Sequence, residues 1–153
     1  MSTISASLGL LIALNRAQAT VARRMERLSV HGLGFHDLIL LYLIGQTGQA
    51  RRIDLASQTG LTASGITRLL QPLEKMGLVG RETNARDARV SLVTLTEAGR
   101  TVLDNALPTA NATASELLPE DQLLPLSSLS AVLKLLGGTI PDGYDTSDSS
   151  RPA

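Results

Sequence analysis

The chain has 153 residues, and its 14 Lys and Arg balance its 14 Asp and Glu, so its formal net charge is zero. An apolar share of 43% supports a globular core, while an aromatic share of 2% leaves aliphatic side chains to fill that core. The absence of cysteine excludes disulfides, thiolate metal sites, a cysteine nucleophile and thiol-based redox sensing.

The neutral total hides two halves of opposite charge. Residues 1–100 carry twelve Lys and Arg against seven Asp and Glu, a balance of +5, and residues 101–153 carry two against seven, a balance of −5. A basic segment of this kind is typical of a protein with an anionic partner.

The first predicted element is a long helix. Apolar residues recur at three- and four-residue steps from Ile4 to Met25, and Gly32 and Gly34 are predicted to end the helix. The sequence "AQA" at 17–19 is similar to a signal-peptide cleavage site, but no Lys or Arg precedes the apolar run at 6–14, so we expect no signal peptide. No run reaches the ~18 apolar residues of a membrane span, and we expect a cytoplasmic protein without membrane contact.

The next segments read as short helices. "LILLYLI" within residues 37–46 predicts a buried helix that stops near Gly48, and "ARRI" at 50–53 predicts a brief strand. Asp54 is predicted to open the helix "LASQTG", which ends at Gly60. Thr62 is a good N-cap for a further helix that runs to about Met76 despite Pro72.

Two short helices joined by "TGLT" predict a helix-turn-helix. The second helix opens with small or polar residues whose hydroxyls and charges can reach phosphates or base edges in a major groove. These candidate DNA contacts are Thr62, Ser64, Gly65, Thr67 and Arg68.

A β-hairpin is predicted directly after the helix-turn-helix. "LVGRET" and "RVSLVTL" read as antiparallel strands joined by a polar tip at 84–87, so the unit is a winged helix. Arg86 and Arg89 at this wing can reach phosphates or a narrow minor groove, and Asp87 can orient a guanidinium. A solvated hairpin without a partner is the alternative reading of the tip alone.

The last predicted elements are two helices and a tail. Thr96 and Glu97 start "TEAGRTVLDNAL", which Pro108 is predicted to kink or interrupt. "PEDQ" opens a final helix that Pro125 interrupts and that Gly137 and Gly138 close. The segment from Thr139 is polar and acidic, and it is predicted to be disordered.

The chain resembles the MarR-type (multiple antibiotic resistance regulator) family of winged helix-turn-helix transcriptional regulators. The resemblance lies in "IDLASQTGLTASGITRLLQPLEKMGLVGR", in the wing's "DAR" and in "LTEAGR". It implies major-groove contacts by Ser64, Gly65, Thr67 and Arg68, a minor-groove role for Arg89 with Asp87 as its partner, and a dimer formed by the first and last helices. Pro72 and Pro125 depart from the expected pattern.

The predicted fold is mainly α with a small antiparallel β-hairpin, divided into four parts. Residues 1–31 form an N-terminal dimerisation helix, 32–100 the winged helix-turn-helix domain, 101–138 C-terminal dimerisation helices and 139–153 the acidic tail. The predicted function is a repressor that binds a pseudo-palindromic operator in double-stranded DNA as a homodimer. The alternatives are a constitutive DNA-binding protein and a winged-helix protein–protein adaptor.

A small-molecule effector is implied by the resemblance, and its predicted pocket is near His31, Phe35 and His36. The two histidines alone do not define a metal site, because no further ligand is fixed by the sequence. A basic cluster at Arg23, Arg24 and Arg27 reads as a solvated face rather than a phosphate contact. No cofactor is expected, and no catalytic residue pattern appears, so we expect no enzymatic activity.

Overall fold

A computed structural model of the chain describes residues 4–84, 87–119 and 126–138, without the side chains at 84, 87–90 and 126–128. The predicted tip residues 85 and 86, the start of the last helix at 120–125 and the tail from 139 lie outside these described residues.

The described chain is mainly helical. Its helices are α1 (Ala6–Arg24), a 3-10 helix (Met25–His31), α2 (Phe35–Thr47), α3 (Arg52–Thr59), α4 (Ala63–Lys75), α5 (Glu97–Leu117) and α6 (Leu126–Leu135). Three short strands complete it: β1 (Gln49–Arg51), β2 (Val79–Asn84) and β3 (Asp87–Leu95). The predicted fold class is confirmed, with one strand more than the predicted hairpin.

The strands form one antiparallel sheet in the order β1-β3-β2. Arg51 of β1 lies opposite Leu92 of β3, and Val79 of β2 lies opposite Leu95. The ladder continues to the pair Asn84 and Asp87, with an irregularity between Thr83 and Asn84. The two residues that were predicted to bound the tip therefore belong to the strands.

The core lies between α2, α4, α5 and the sheet. Its fully buried hydrophobic side chains are aliphatic, as the low aromatic content requires, and include Leu40, Leu41, Ile44, Leu55, Ile66, Leu70, Leu73 and Val93. In contrast, α1 has no buried residue, and its side chains Leu8, Leu10, Leu11 and Ile12 are each about half exposed. The fold therefore leaves an apolar helix uncovered at its N-terminal end.

Several predicted element boundaries need correction. The first helix does not continue uniformly to Gly32, because its last seven residues, from Met25 to His31, tighten into a 3-10 helix. Asp54 does not open α3, which begins at Arg52 and places Asp54 in its first turn. The predicted strand at 50–53 starts one residue earlier and ends at Arg51, because the chain turns into α3 there.

Pro108 does not interrupt its helix, so that alternative of the prediction was wrong, whereas the predicted kink stays a prediction. α5 runs without a break from Glu97 to Leu117 and holds Pro108 on its exposed side. The proline removes one helical hydrogen bond, but Leu103, Ala106 and Ala110 pack into the core on the opposite face. Tertiary packing therefore outweighs the local cost.

A compact joint connects the end of α4 to the start of α5. The Thr96 hydroxyl lies 2.6 Å from the carbonyl oxygen of Gly77 and 3.0 Å from that of Leu78, and it accepts a bond from the Gly99 amide at 3.0 Å. The Thr96 amide also donates to the Leu78 carbonyl at 3.1 Å. A Cβ on Gly99 would collide with the Leu78 carbonyl, so only glycine permits this approach. This "Thr96 joint" fixes the two helices to each other.

None of the described helices is by itself both long and apolar enough to cross a membrane. The helical stretch Ala6–His31 together with α2 passes the same test of length and composition, but the two are bent by 72°.

Candidate nucleic-acid interface

α4 has one buried face and one open face, as the predicted second helix of a helix-turn-helix requires. Thr62 caps it, because its hydroxyl oxygen accepts a bond from the Gly65 amide at 3.1 Å. Ile66, Leu70 and Leu73 are fully buried on the inner face. Ser64 and Arg68 are exposed on the outer face. The face that can approach another molecule is therefore narrow and starts at the helix N-terminus.

The predicted contact residues at the start of α4 differ in their exposure and in the hydrogen bonds that they already make within the chain. The Ser64 hydroxyl is exposed but lies 3.1 Å from the Thr62 hydroxyl. Gly65 is half-buried, and a Cβ there would lie 3.2 Å from the Thr62 hydroxyl oxygen, so glycine leaves room for the cap. Thr62 and Gly65 thus build the helix start rather than present side chains.

The Thr67 hydroxyl is already engaged within the chain. It donates to the Ala63 carbonyl at 3.0 Å and accepts from an Arg52 guanidinium nitrogen at 3.4 Å. Thr67 is also half-buried. A hydroxyl with its proton used in this way is poorly placed to donate to a base edge. Arg68, in contrast, is exposed and has no hydrogen bond to another described side chain.

The wing is anchored to α4 by an ion pair that the sequence did not predict. Arg81 of β2 donates to the Glu74 carboxylate at 2.6 Å, and this bond raises the pKa of the Arg81 guanidinium. One arginine of the basic hairpin therefore supports the wing instead of facing outward.

The predicted wing contacts fall outside the described side chains. Asp87 and Arg89 lie in β3, but their side chains are not described, and Arg86 lies outside the described residues altogether. The predicted pairing of Asp87 with Arg89 stays a prediction.

A shallow, open depression beside α4 brings in two arginines that the sequence analysis did not single out. It has a volume of about 520 Å³, and its lining residues are Arg51, Arg52, Ile53, Ala63, Ser64, Thr67 and Ser91. The only sequence signal was the Arg-Arg pair ahead of α3, which was read as part of a strand. These two arginines form the depression only together with residues of β3 and α4, which are distant in the sequence. Hydrophobic periodicity does not predict that these elements meet.

The three predicted effector residues do not line this depression. His31 places its Nε2 atom 2.8 Å from the Thr109 hydroxyl of α5 and is half-buried. Phe35 is half-buried against the core, and His36 is exposed. Among the described residues, no three His, Asp or Glu are grouped so that they could hold a metal ion.

Two members of the predicted basic cluster, Arg24 and Arg27, bind the same carboxylate on α5, and this arrangement is called the fork below. Arg27 donates to both carboxylate oxygens of Glu116, at 2.8 and 2.9 Å, and Arg24 lies 3.2 Å from the same carboxylate. The hydrogen bond from Arg27, followed by its charge, lowers the pKa of Glu116. Arg24 and Arg27 are exposed, as predicted for a solvated face, but both are also paired with Glu116 within the chain.

Comparison with known proteins agrees with this geometry. Residues 37–91, from α2 to the wing, match the MarR family model. The uncharacterised HTH-type transcriptional regulator YdgJ of Bacillus subtilis is 31% identical over 75 residues, which are 49% of this chain and 46% of that protein. The match thus spans less than half of that relative's length.

Two longer matches extend the similarity. The HTH-type transcriptional regulator MhqR of Bacillus subtilis is 27% identical over 113 residues, 73% of this chain and 78% of that protein. The crystal structure of CouR from Rhodococcus jostii bound to p-coumaroyl-CoA has a TM-score of 0.71 and 25% identity, and covers 89% of this chain and 93% of its own. The helices outside the winged unit are therefore shared as well.

Proposed function

Since the chain belongs to the MarR family of winged helix-turn-helix transcriptional regulators, we propose that it is a homodimeric repressor that binds an inverted-repeat operator in duplex DNA. The observation that carries this proposal is the open face of α4, where Ser64 and Arg68 are exposed beside a fixed wing. A major groove is wide enough to admit one such helix, and a two-fold dimer presents two of them to successive grooves.

The division of labour within each subunit follows from the positions of the elements. Residues 32–100 contain α4 and the wing and would bind DNA, while α1 and the C-terminal helices would join the subunits. Arg68 would contact base edges, with Arg86 and Arg89 of the wing on phosphates or in a minor groove. A DNA-binding role also agrees with the proposed cytoplasmic location.

We propose further that a small molecule modulates this binding by favouring one arrangement of the dimer. The absence of cysteine leaves no thiolate for reversible oxidation, so a bound molecule is the remaining route. The complex of CouR with p-coumaroyl-CoA supports a phenolic or anionic ligand. The region of His31, Phe35 and His36 at the start of α2 is the proposed contact.

DNA affinity measured across a salt series tests the central proposal. Wild-type protein should bind a random-sequence duplex at low salt, and the logarithm of its affinity should fall linearly with the logarithm of salt concentration. An operator enriched from a random pool should bind more tightly and show two half-sites. No binding at low salt would favour a protein–protein adaptor instead.

The wing is tested by Arg89→Ala on the same operator. Loss of this contact should weaken binding by about 1–3 kcal/mol and should reduce any preference for A·T pairs in the flanks. Equal affinities of variant and wild type at matched salt would rule out the wing contact.

The effector proposal is tested by adding a panel of aromatic acids and phenols to the protein–operator complex. A ligand of this type should release DNA at concentrations that leave the protein folded. Release by none of them would favour a constitutive DNA-binding protein, and release by peroxide that a thiol reductant reverses would contradict the argument from the missing cysteine.

A further inference from the structure

The depression beside α4 has the composition of an anion site. It joins two guanidinium groups, from Arg51 and Arg52, to the hydroxyls of Ser64, Thr67 and Ser91, and its lining residues in the described part of the chain include no carboxylate. Arg is the side chain that best matches phosphate oxygens, because its planar donors can bind two of them at once.

Neither arginine is neutralised within the described part of the chain. The ion pairs found there join Arg24 and Arg27 to Glu116 and Arg81 to Glu74, and none includes Arg51 or Arg52. The contact of Arg52 with the Thr67 hydroxyl is 3.4 Å, long for a hydrogen bond, so nearly all of its donors stay available. Two unpaired cations held close together favour an anionic partner.

The residues that line this depression are held by four elements, namely β1, β3, α3 and α4. Arg51 is held by the pairing of β1 with β3, where it lies opposite Leu92, and Arg52 is the first residue of α3. Ser64 and Thr67 lie one helical turn apart on α4. The depression therefore lies at the edge of the face that would enter a groove, where the sugar-phosphate backbone passes.

We propose that Arg51 and Arg52 bind a DNA backbone phosphate in this depression. This inference rests on the proposed DNA-binding function and assigns it two residues that lie in neither the recognition helix nor the wing. The contact is independent of base identity, because every nucleotide offers the same phosphate oxygens.

The first test compares Arg51→Gln and Arg52→Gln with Arg16→Gln, which removes the same charge from an exposed position on α1. Each of the first two variants should weaken binding to operator and to random duplex by the same factor, on the order of tenfold, and should reduce the salt slope by about 1 per subunit. Arg16→Gln should leave both unchanged. Arg51→Lys and Arg52→Lys, which keep the charge, should retain most of the slope.

The second test locates the phosphate. Neutral methylphosphonate linkages are placed one at a time along the operator. One position in each half-site should weaken wild-type binding but cause no further loss in Arg51→Gln. Losses that add together at every position would show that Arg51 does not contact the backbone.

Each remaining outcome decides between the proposals. If wild-type protein binds no duplex, the proposed function itself fails. If it binds and the DNA affinities of both Gln variants equal that of Arg16→Gln, only this inference fails. Circular dichroism of the variants excludes misfolding as the cause of any loss of affinity. If inorganic phosphate displaces DNA at matched ionic strength, the depression is a site for a free anion and the backbone assignment is wrong.

Discussion

At the scale of single residues, hydrogen bonds distinguish the side chains that hold the candidate interface together from those that are available to contact DNA. Thr62 caps α4 and the Thr67 hydroxyl donates to Ala63, so both hydroxyls are committed within the chain. Arg68 is exposed on the same helix. The sequence pattern marked all three as contacts, because it identifies polar positions but does not show which polar atoms are already bonded.

Arg68 should therefore contribute to the sequence specificity of DNA binding. Arg68→Ala is expected to cost about 1–3 kcal/mol on the operator and much less on random duplex, so the ratio of specific to non-specific affinity falls. Lys75→Ala, which removes a charge from the end of the same helix, should preserve that ratio. If both affinities fall equally for Arg68→Ala, the residue contacts only phosphate.

Glu116 gives a pH-dependent contribution to stability. Its pKa is lowered in the folded chain by the Arg27 hydrogen bond, so its stabilisation is present above the ordinary value of 4.5 and is lost as the pH falls through the lowered value. The melting temperature of wild type should exceed that of Glu116→Gln at neutral pH, and the two should converge in acid. Asp104→Asn on the same helix is the control, and a gap that persists in acid would contradict the assignment.

At the scale of elements, caps and stops were the most predictable features. Thr62 and Thr96 both cap helices as predicted, and Gly60 and Gly77 end helices with φ of 69° and 72°, values that favour glycine. These signals are local, because the residues that make the bonds are at most three apart.

Features that depend on distant partners were not predictable. Arg27 and Glu116 are separated by 89 positions, and the lining of the depression joins residues from β1, α3, α4 and β3. The continuity of α5 through Pro108 likewise depends on core packing that the local sequence does not show. Of the candidate interface, the open face of α4 was predictable from the sequence, whereas the depression lined by Arg51 and Arg52 was not.

The Thr96 joint should contribute more than an ordinary cap. Thr96→Val removes the cap and the hydrogen bond that the hydroxyl donates toward the Gly77 and Leu78 carbonyls, so the free energy of unfolding should fall by about 2 kcal/mol. Thr62→Val is the matched control, since it removes a cap of the same kind without such a link, and should cost about 1 kcal/mol. Urea denaturation of both variants measures the difference, and equal costs would show that the additional bonds contribute nothing.

At the scale of the whole molecule, most of the exposed large apolar side chains of the described chain lie near its two ends, although Val30, Ile53, Met76 and Leu118 are exposed elsewhere. Leu8, Leu10, Leu11 and Ile12 of α1 and Leu129, Val132, Leu135 and Leu136 at the C-terminal end are all exposed. A second copy would bury these residues, as in obligate dimers, whose interfaces are large and apolar.

Light scattering should therefore give twice the chain mass of 16.1 kDa at micromolar concentration. Leu11→Ser should shift the mass toward the monomer and weaken operator binding, because one α4 alone reads one half-site. Gln18→Ser, on the same helix, should remain dimeric. A monomeric wild type would exclude the proposed dimer.

The Thr96 joint also makes α5 a lever. Its 21 residues span about 31 Å, with the end of α4 fixed at one extremity and the Arg24 and Arg27 fork near the other. A displacement of about 1 Å at Glu116 corresponds to a rotation of about 2° at the joint over that length. Because Gly99 packs directly on the Leu78 carbonyl, we expect such a rotation to displace the end of α4 as well. In the proposed dimer, α5 would thus convert a rearrangement between the subunits into a change in half-site spacing.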